Sequence, residues 1–164
     1  MIKTKLIKQI LEHLQQKLAS SELAATNAHL AAIDDQSVAE TQYDTLAIES
    51  AYLAEGQSRR IEECKIAINK IEQFKLQLEN IDEMANSPVK LGSLVQLEKD
   101  EDRQHWFFVA PAAGGFKYDD NKRQYTVITP QSPMGVALLH KQLDDDIEVL
   151  IGNNKLADYI IAVK

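Results

Sequence analysis

The stretch from Leu18 to Ser58, LASSELAATNAHLAAIDDQSVAETQYDTLAIESAYLAEGQS, contains no lysine or arginine, yet it carries Glu22, Asp34, Asp35, Glu40, Asp44, Glu49 and Glu55. Basic residues resume on both sides, at Lys3, Lys5, Lys8 and Lys17 before it and at Arg59, Arg60, Lys65, Lys70 and Lys75 after it. Apolar residues in both flanks recur at helical spacing. Ile7, Leu11, Leu14 and Leu18 follow a four-three-four pattern, and Ala25, Ala28 and Ala32 continue the register. On the return, Ile61, Cys64, Ile68 and Ile71 keep a similar step, with Leu78 and Ile81 beyond and Lys75 interrupting the stripe. These seams predict an antiparallel helical hairpin in which each helix covers the apolar stripe of the other. A polar helix of this length is marginal alone, so mutual burial has to hold it. Acidic charge then collects at the far end of the hairpin.

No glycine or proline marks the turn. Asp34-Asp35-Gln36-Ser37 is the expected position, because Ser37-Val38-Ala39-Glu40 reads as a capping box, in which the Ser and Glu side chains each satisfy a backbone N–H at the start of a helix. Asp34 and Asp35 would then lie beside the positive end of the second helix. The same acids have a second reading: a hard cation such as Mg²⁺ takes carboxylate oxygens and needs only one or two from a given protein when a partner supplies the rest.

Composition changes at Asn86-Ser87-Pro88, which divides the chain into residues 1–85 and 86–164. Beyond it, helical periodicity gives way to short β-rich runs. Val89–Glu98, Gln104–Pro111, Arg123–Thr129, Asp146–Ile151 and Lys155–Val163 are expected strands, with Gly152-Asn153-Asn154 joining the last two. Ala112-Ala113-Gly114-Gly115-Phe116 reads as a hairpin connection; it lacks the Lys-Ser/Thr ending and the following helix of a phosphate loop. Ser132-Pro133-Met134-Gly135 opens a short helix through Leu139, with Ser as N-cap and Pro at the first helical position. The fold class is therefore α+β: a helical coiled-coil hairpin followed by a small antiparallel sheet domain with one short helix.

The 164 residues are 45% hydrophobic and carry a formal net charge of -7, a composition that folds but offers no broadly basic surface for nucleic acid. Direct sequence-specific nucleic-acid binding is not expected. No apolar run is long enough to cross a membrane. The opening MIKTKLIKQILEHL is interrupted by charge and has no small-residue cleavage site, so it does not read as a signal peptide. The single Cys64 reads as a small core residue in a cytoplasmic protein. Catalytic chemistry finds no support: His13, His29, His105 and His140 are scattered, and neither a nucleophile elbow nor a zinc-ligand spacing occurs. No intrinsic catalytic or metal site and no intrinsic cofactor is expected.

The segments Val89-Lys90-Leu91-Gly92-Ser93-Leu94-Val95 and Ser132-Pro133-Met134-Gly135-Val136-Ala137-Leu138-Leu139, following a long helical hairpin, resemble the Gre-type (GreA/GreB-like) transcript cleavage factors of bacterial RNA polymerase. The second segment matches the family's Ser-Pro-x-Gly-x-Ala-Leu-Leu-Gly-Lys, with Lys141 and Asp144-Asp145 where expected and His140 in place of a Gly. The resemblance implies an FKBP-like second domain and RNA polymerase as partner, with the hairpin in the secondary channel and the second domain on its rim. It implies that tip acids help hold a Mg²⁺ shared with the polymerase active site. The family's Asp-x-x-Glu pattern falls on Ser37-Val38-Ala39-Glu40, so Glu40 matches and Ser37 stands where Asp belongs. Asp34, Asp35, Glu40 and Asp44 are the tip candidates, and Ser132, Pro133, Met134 and Gly135 the docking candidates. Ser37 leaves three outcomes open: stimulation of cleavage, occupation of the channel without it, or inhibition or modulation of transcription. A structural adaptor built from a coiled coil and an FKBP-like interaction module is the alternative. A prolyl isomerase would need Trp106, Phe107, Phe108 and Tyr125 to line a pocket rather than fill a core.

Overall fold

The computed structural model describes residues 2–35, 43–78, 87–120, 122–152 and 154–164. Two long helices, α1 (Ile2–Asp35) and α2 (Tyr43–Leu78), precede β1 (Leu94–Leu97), a 3-10 turn at Glu98–Asp100, β2 (His105–Val109), β3 (Lys117–Asp120), β4 (Arg123–Ile128), α3 (Pro133–Leu138), β5 (Asp146–Ile151) and β6 (Asn154–Val163). The architecture is α+β, as expected. The chain divides into two compact units, Leu11–Asn69, and Met1–Ile10 together with Lys70–Lys164.

In the Leu11–Asn69 unit the described elements are parts of α1 and α2 alone, so each helix has only the other to bury its apolar stripe. Leu14 and Cys64 are buried, and Leu11, Leu18, Ala25, Ala28, Ile61 and Ile68 are half-buried, while Gln15, Gln16, Glu62 and Glu63 face solvent. The heptad seam read from the sequence is thus the one observed, and Cys64 is a core residue. Ile81 and the expected capping box at Ser37 and Glu40 lie outside the described residues.

In the second unit the strand order is β3-β4-β2-β1-β6-β5. β1 lies near the middle, and all four of its residues are buried because both faces of the sheet are covered. On one face Val95, Leu97, Phe107, Val109 and Ile128 join Leu138, Ile147, Val149 and Ile160 in a single core, with Met134 and Ala137 of α3 packed against it. On the other face Leu94, Trp106, Phe108 and Tyr125 are buried. Here the start of α1 and the end of α2 take part. Phe74 sits 6.3 Å from Phe108, ring to ring, and Lys5 pairs with Asp120 at 2.9 Å beneath the Tyr118 ring. Hydrogen bonding by Tyr118, and next by Asp120, raises the Lys5 ammonium above the ordinary lysine value.

Lys75 is exposed and interrupts the heptad stripe on α2, as expected. Phe74 occupies the buried position there, since the end of α2 packs on the sheet rather than continuing a coiled-coil seam. Leu6 and Ile10 are buried near the start of α1 in the same unit, alongside the seam residue Ile7. Residues 112–116 are not the turn of a hairpin: they lead into β3, which the sequence reading missed, and β3 forms the hairpin with β4. β2 and β4 consequently pair in parallel, while the other strand pairs are antiparallel, so the sheet is mostly antiparallel as expected. Finally, the Val89–Glu98 strand begins only at Leu94. Gly92 turns the chain at φ +89, donates to the Val109 carbonyl at 2.8 Å, and brings its backbone so close to α2 that an added Cβ would stand 2.5 Å from Leu78 Cδ1.

Candidate functional site

Asp34 and Asp35 are the last two residues of α1, and Asp44 is the second residue of α2. The acids therefore stand at the junction between the helices, at the end of a 34-residue helix and the start of a 36-residue one. At 1.5 Å per residue each helix is about 50 Å long. Glu40 and Ser37 lie outside the described residues. The described residues stop at Asp35 and resume at Tyr43, so the turn expected at Asp34-Asp35-Gln36-Ser37 lies largely outside them.

The second group of candidates forms one local structure. Ser132 is the N-cap of α3, extended at φ -70 and ψ 152; its Oγ accepts from the Gly135 N–H at 3.1 Å and donates to the Thr129 carbonyl at 2.7 Å. Pro133 occupies the first turn, where its missing N–H costs nothing. Gly135 is buried directly against Thr129: a Cβ there would come within 1.9 Å of the Thr129 oxygen. Met134 is half-buried on the core. Of the four, Pro133 alone is exposed, joined by Val136, which is 67% exposed. Most of this segment's residue identities are thus accounted for by capping and close packing.

Residues beyond α3 show the same economy. His140 adopts φ +67, the left-handed region that a Gly occupies without penalty, while its N–H donates to Val89 at 2.9 Å and Val89 donates to the Lys141 carbonyl at 2.8 Å. Asp145 accepts from the Gln142 N–H at 2.7 Å, closing the turn that leads to β5. Asp144 is also left-handed, at φ +67. His140→Gly is expected to raise stability by about 0.5–1 kcal/mol by relieving the left-handed penalty, offset in part by added unfolded-state freedom. A urea titration that shows a lower midpoint for this variant would refute that account of the position.

Trp106, Phe107, Phe108 and Tyr125 are all buried in the sheet unit, which is how aromatic residues behave as core and not as the walls of a substrate pocket. Among the described residues no three His, Cys, Asp or Glu side chains come together as a metal site, and no helix is long and apolar enough to cross a membrane. Sequence reasoning missed Leu23 and Leu30, which are exposed by 63% and 59% on α1. Their seven-residue spacing was the available signal, and it was hidden by the stronger seam beside it.

No family model matches the chain, and no curated protein matches it. Solved structures that it resembles include the GreA factor homolog 1 (Gfh1) protein of Thermus thermophilus, at 18% identity over 98% of this chain and 93% of that one, with a TM-score of 0.36. Thermus aquaticus Gfh1 is similar at 18% identity over 93% of this chain and 92% of that one, with a TM-score of 0.35. The prokaryotic transcription elongation factor GreA/GreB from Nitrosomonas europaea is similar at 21% identity over 54% of this chain and 78% of that one, with a TM-score of 0.32.

Proposed function

We propose that this chain is a Gre-like transcription factor that binds RNA polymerase and modulates elongation or transcript cleavage through the acidic junction of its two long helices. The observation that supports the reading is the apolar seam on the two long helices, buried at Leu14 and Cys64, with the lysine- and arginine-free acidic stretch lying between the seams in the sequence. The Ser-Pro-x-Gly-x-Ala-Leu-Leu motif and its capped, closely packed geometry support the same reading. Within a channel that holds the polymerase's Mg²⁺, poorly solvated walls strengthen the attraction for carboxylates. Asp34, Asp35, Glu40 and Asp44 supply the oxygen donors such a cation takes, and Pro133 with Val136 presents the surface of the α3 segment. The protein itself performs no chemistry in this scheme and holds no cofactor of its own. It works where the polymerase works, in the cytoplasm.

The direct test is capture of RNA polymerase by the immobilised protein at low salt. Retention of the polymerase is expected, and its absence refutes the proposal. Ser37 then decides the outcome on the transcript. A hydroxyl is a poor ligand for a hard cation, so the parent protein is expected to bind without stimulating cleavage of backtracked RNA, and Ser37→Asp to gain cleavage. The adaptor reading is favoured by one observation, the exposed Leu23 and Leu30 a heptad apart on α1. Under that reading Leu23→Gln with Leu30→Gln abolishes partner binding while neutral tip residues change nothing.

A further inference from the structure

The turn before β2 and the β3–β4 hairpin border a cleft of about 490 Å³ lined by Arg103, Asp119, Lys122, Arg123 and Gln124. Three cations meet there on a chain whose net charge is -7. Their assembly is a product of strand pairing. Arg103 precedes Gln104, whose φ of +49 turns the chain into β2, and the Gln104 carbonyl accepts from the Gln124 N–H at 3.1 Å, which ties that turn to the start of β4. Arg123 is the first residue of β4, opposite Asp120 in the hairpin register.

Two of the nearby carboxylates are engaged elsewhere, while Glu101 and Asp102 beside Arg103 are exposed to solvent. Asp120 is held by Lys5 at 2.9 Å, and Asp100 by His105 Nδ1 at 3.2 Å, with His105 Nε2 fixed in turn by Thr126 Oγ1 at 2.8 Å. Among the described residues Arg103, Lys122 and Arg123 make no ion pair, and all three are exposed. Two guanidinium forks and an ammonium around one cleft match the oxygens of phosphate groups, which guanidinium binds bidentately. Asp119 is the carboxylate in the lining, and it opposes a bare phosphate. It can accept a hydrogen bond from a sugar hydroxyl, and the Gln124 amide can serve either neighbour.

We infer that this cleft binds the phosphates of a ribonucleotide, either within a single-stranded RNA or as a free nucleotide, through Arg103, Lys122 and Arg123. Recognition is of backbone and hydroxyl, without base readout, and it is independent of the proposed role at RNA polymerase. Binding of a short fluorescent single-stranded RNA, followed by anisotropy without polymerase present, tests it. Three phosphate contacts on a single strand give a log–log salt slope of about -2, so affinity should fall about 20-fold between 50 and 200 mM salt. Arg103→Gln, Lys122→Gln and Arg123→Gln together should abolish binding, and each alone should reduce the slope by about 0.7. The charge-matched control Arg59→Gln, Arg60→Gln and Lys65→Gln should bind as the parent does. A nucleoside triphosphate that fully displaces the RNA identifies a free nucleotide as occupant, and failure of displacement identifies the strand. No binding at 50 mM salt, or equal loss in the control, overturns the inference. The substituted side chains are exposed and without ion pairs, so unchanged thermal melting accompanies the expected result; the single variants decide the matter if the triple variant melts lower.

Discussion

Gly135→Ala is expected to destabilise the sheet unit by about 3 kcal/mol or more, lowering its melting temperature by on the order of 10–20 °C. The added Cβ would meet Thr129 oxygen at 1.9 Å and Thr129 carbon at 2.8 Å, and backbone cannot swing aside as a side-chain tip can. Relief requires moving the loop whose Thr129 carbonyl accepts from the Ser132 N–H at 3.0 Å and from Ser132 Oγ at 2.7 Å. Separating α3 from that loop also endangers the N-cap, which alone contributes about 1 kcal/mol. Leu138, fully buried in the core, moves with the helix. The same substitution at Gly56 has the opposite expected sign. Gly56 lies inside α2 with nothing within 4 Å of its would-be Cβ, so alanine there gains helix propensity of about 1 kcal/mol. Thermal melts of the two variants side by side check the claim. Two variants that melt alike would mean that the contact with Thr129 does not matter.

Neutralising the tip in the Ser37→Asp background, with Asp34→Asn, Asp35→Asn, Glu40→Gln and Asp44→Asn, is expected to leave capture of RNA polymerase nearly intact and to reduce the cleavage that Ser37→Asp confers on the order of 100-fold. That figure corresponds to about 3 kcal/mol of interaction with a cation, modest for several carboxylates in a poorly solvated channel. Thermal melts of parent and variant, measured side by side, separate loss of the carboxylates from loss of the fold. A tip variant that supports cleavage as Ser37→Asp alone does would remove the acids from the mechanism and favour the adaptor.

The helix pair was legible because its information is local and periodic. Leu11, Leu14, Leu18, Ile61, Cys64 and Ile68 announce a buried stripe at heptad spacing, and the described structure buries or half-buries each of them. The Ser132 cap was legible for a similar reason: Ser, Pro and a short apolar run within a few residues specify a helix start, and Ser132 Oγ takes the Gly135 N–H as anticipated. Strand β3 was not legible, since Lys117-Tyr118-Asp119-Asp120 has little strand propensity and owes its conformation to pairing with β4. Phe74 was passed over because nothing within α2 says that its last turns leave the seam for the sheet.

The sequence by itself determined the heptad seams, the acidic stretch between them, the cap at Ser132 and most of the strands, because short-range spacing and turn chemistry carry that information. Only the tertiary structure decided the parallel pairing of β2 with β4, the need for glycine at Gly135, the left-handed turn at His140, and the meeting of Arg103 with Lys122 and Arg123. These depend on which backbone arrives beside which. Contacts between residues far apart in sequence are set by the packing of whole elements, and no periodicity in the chain encodes them.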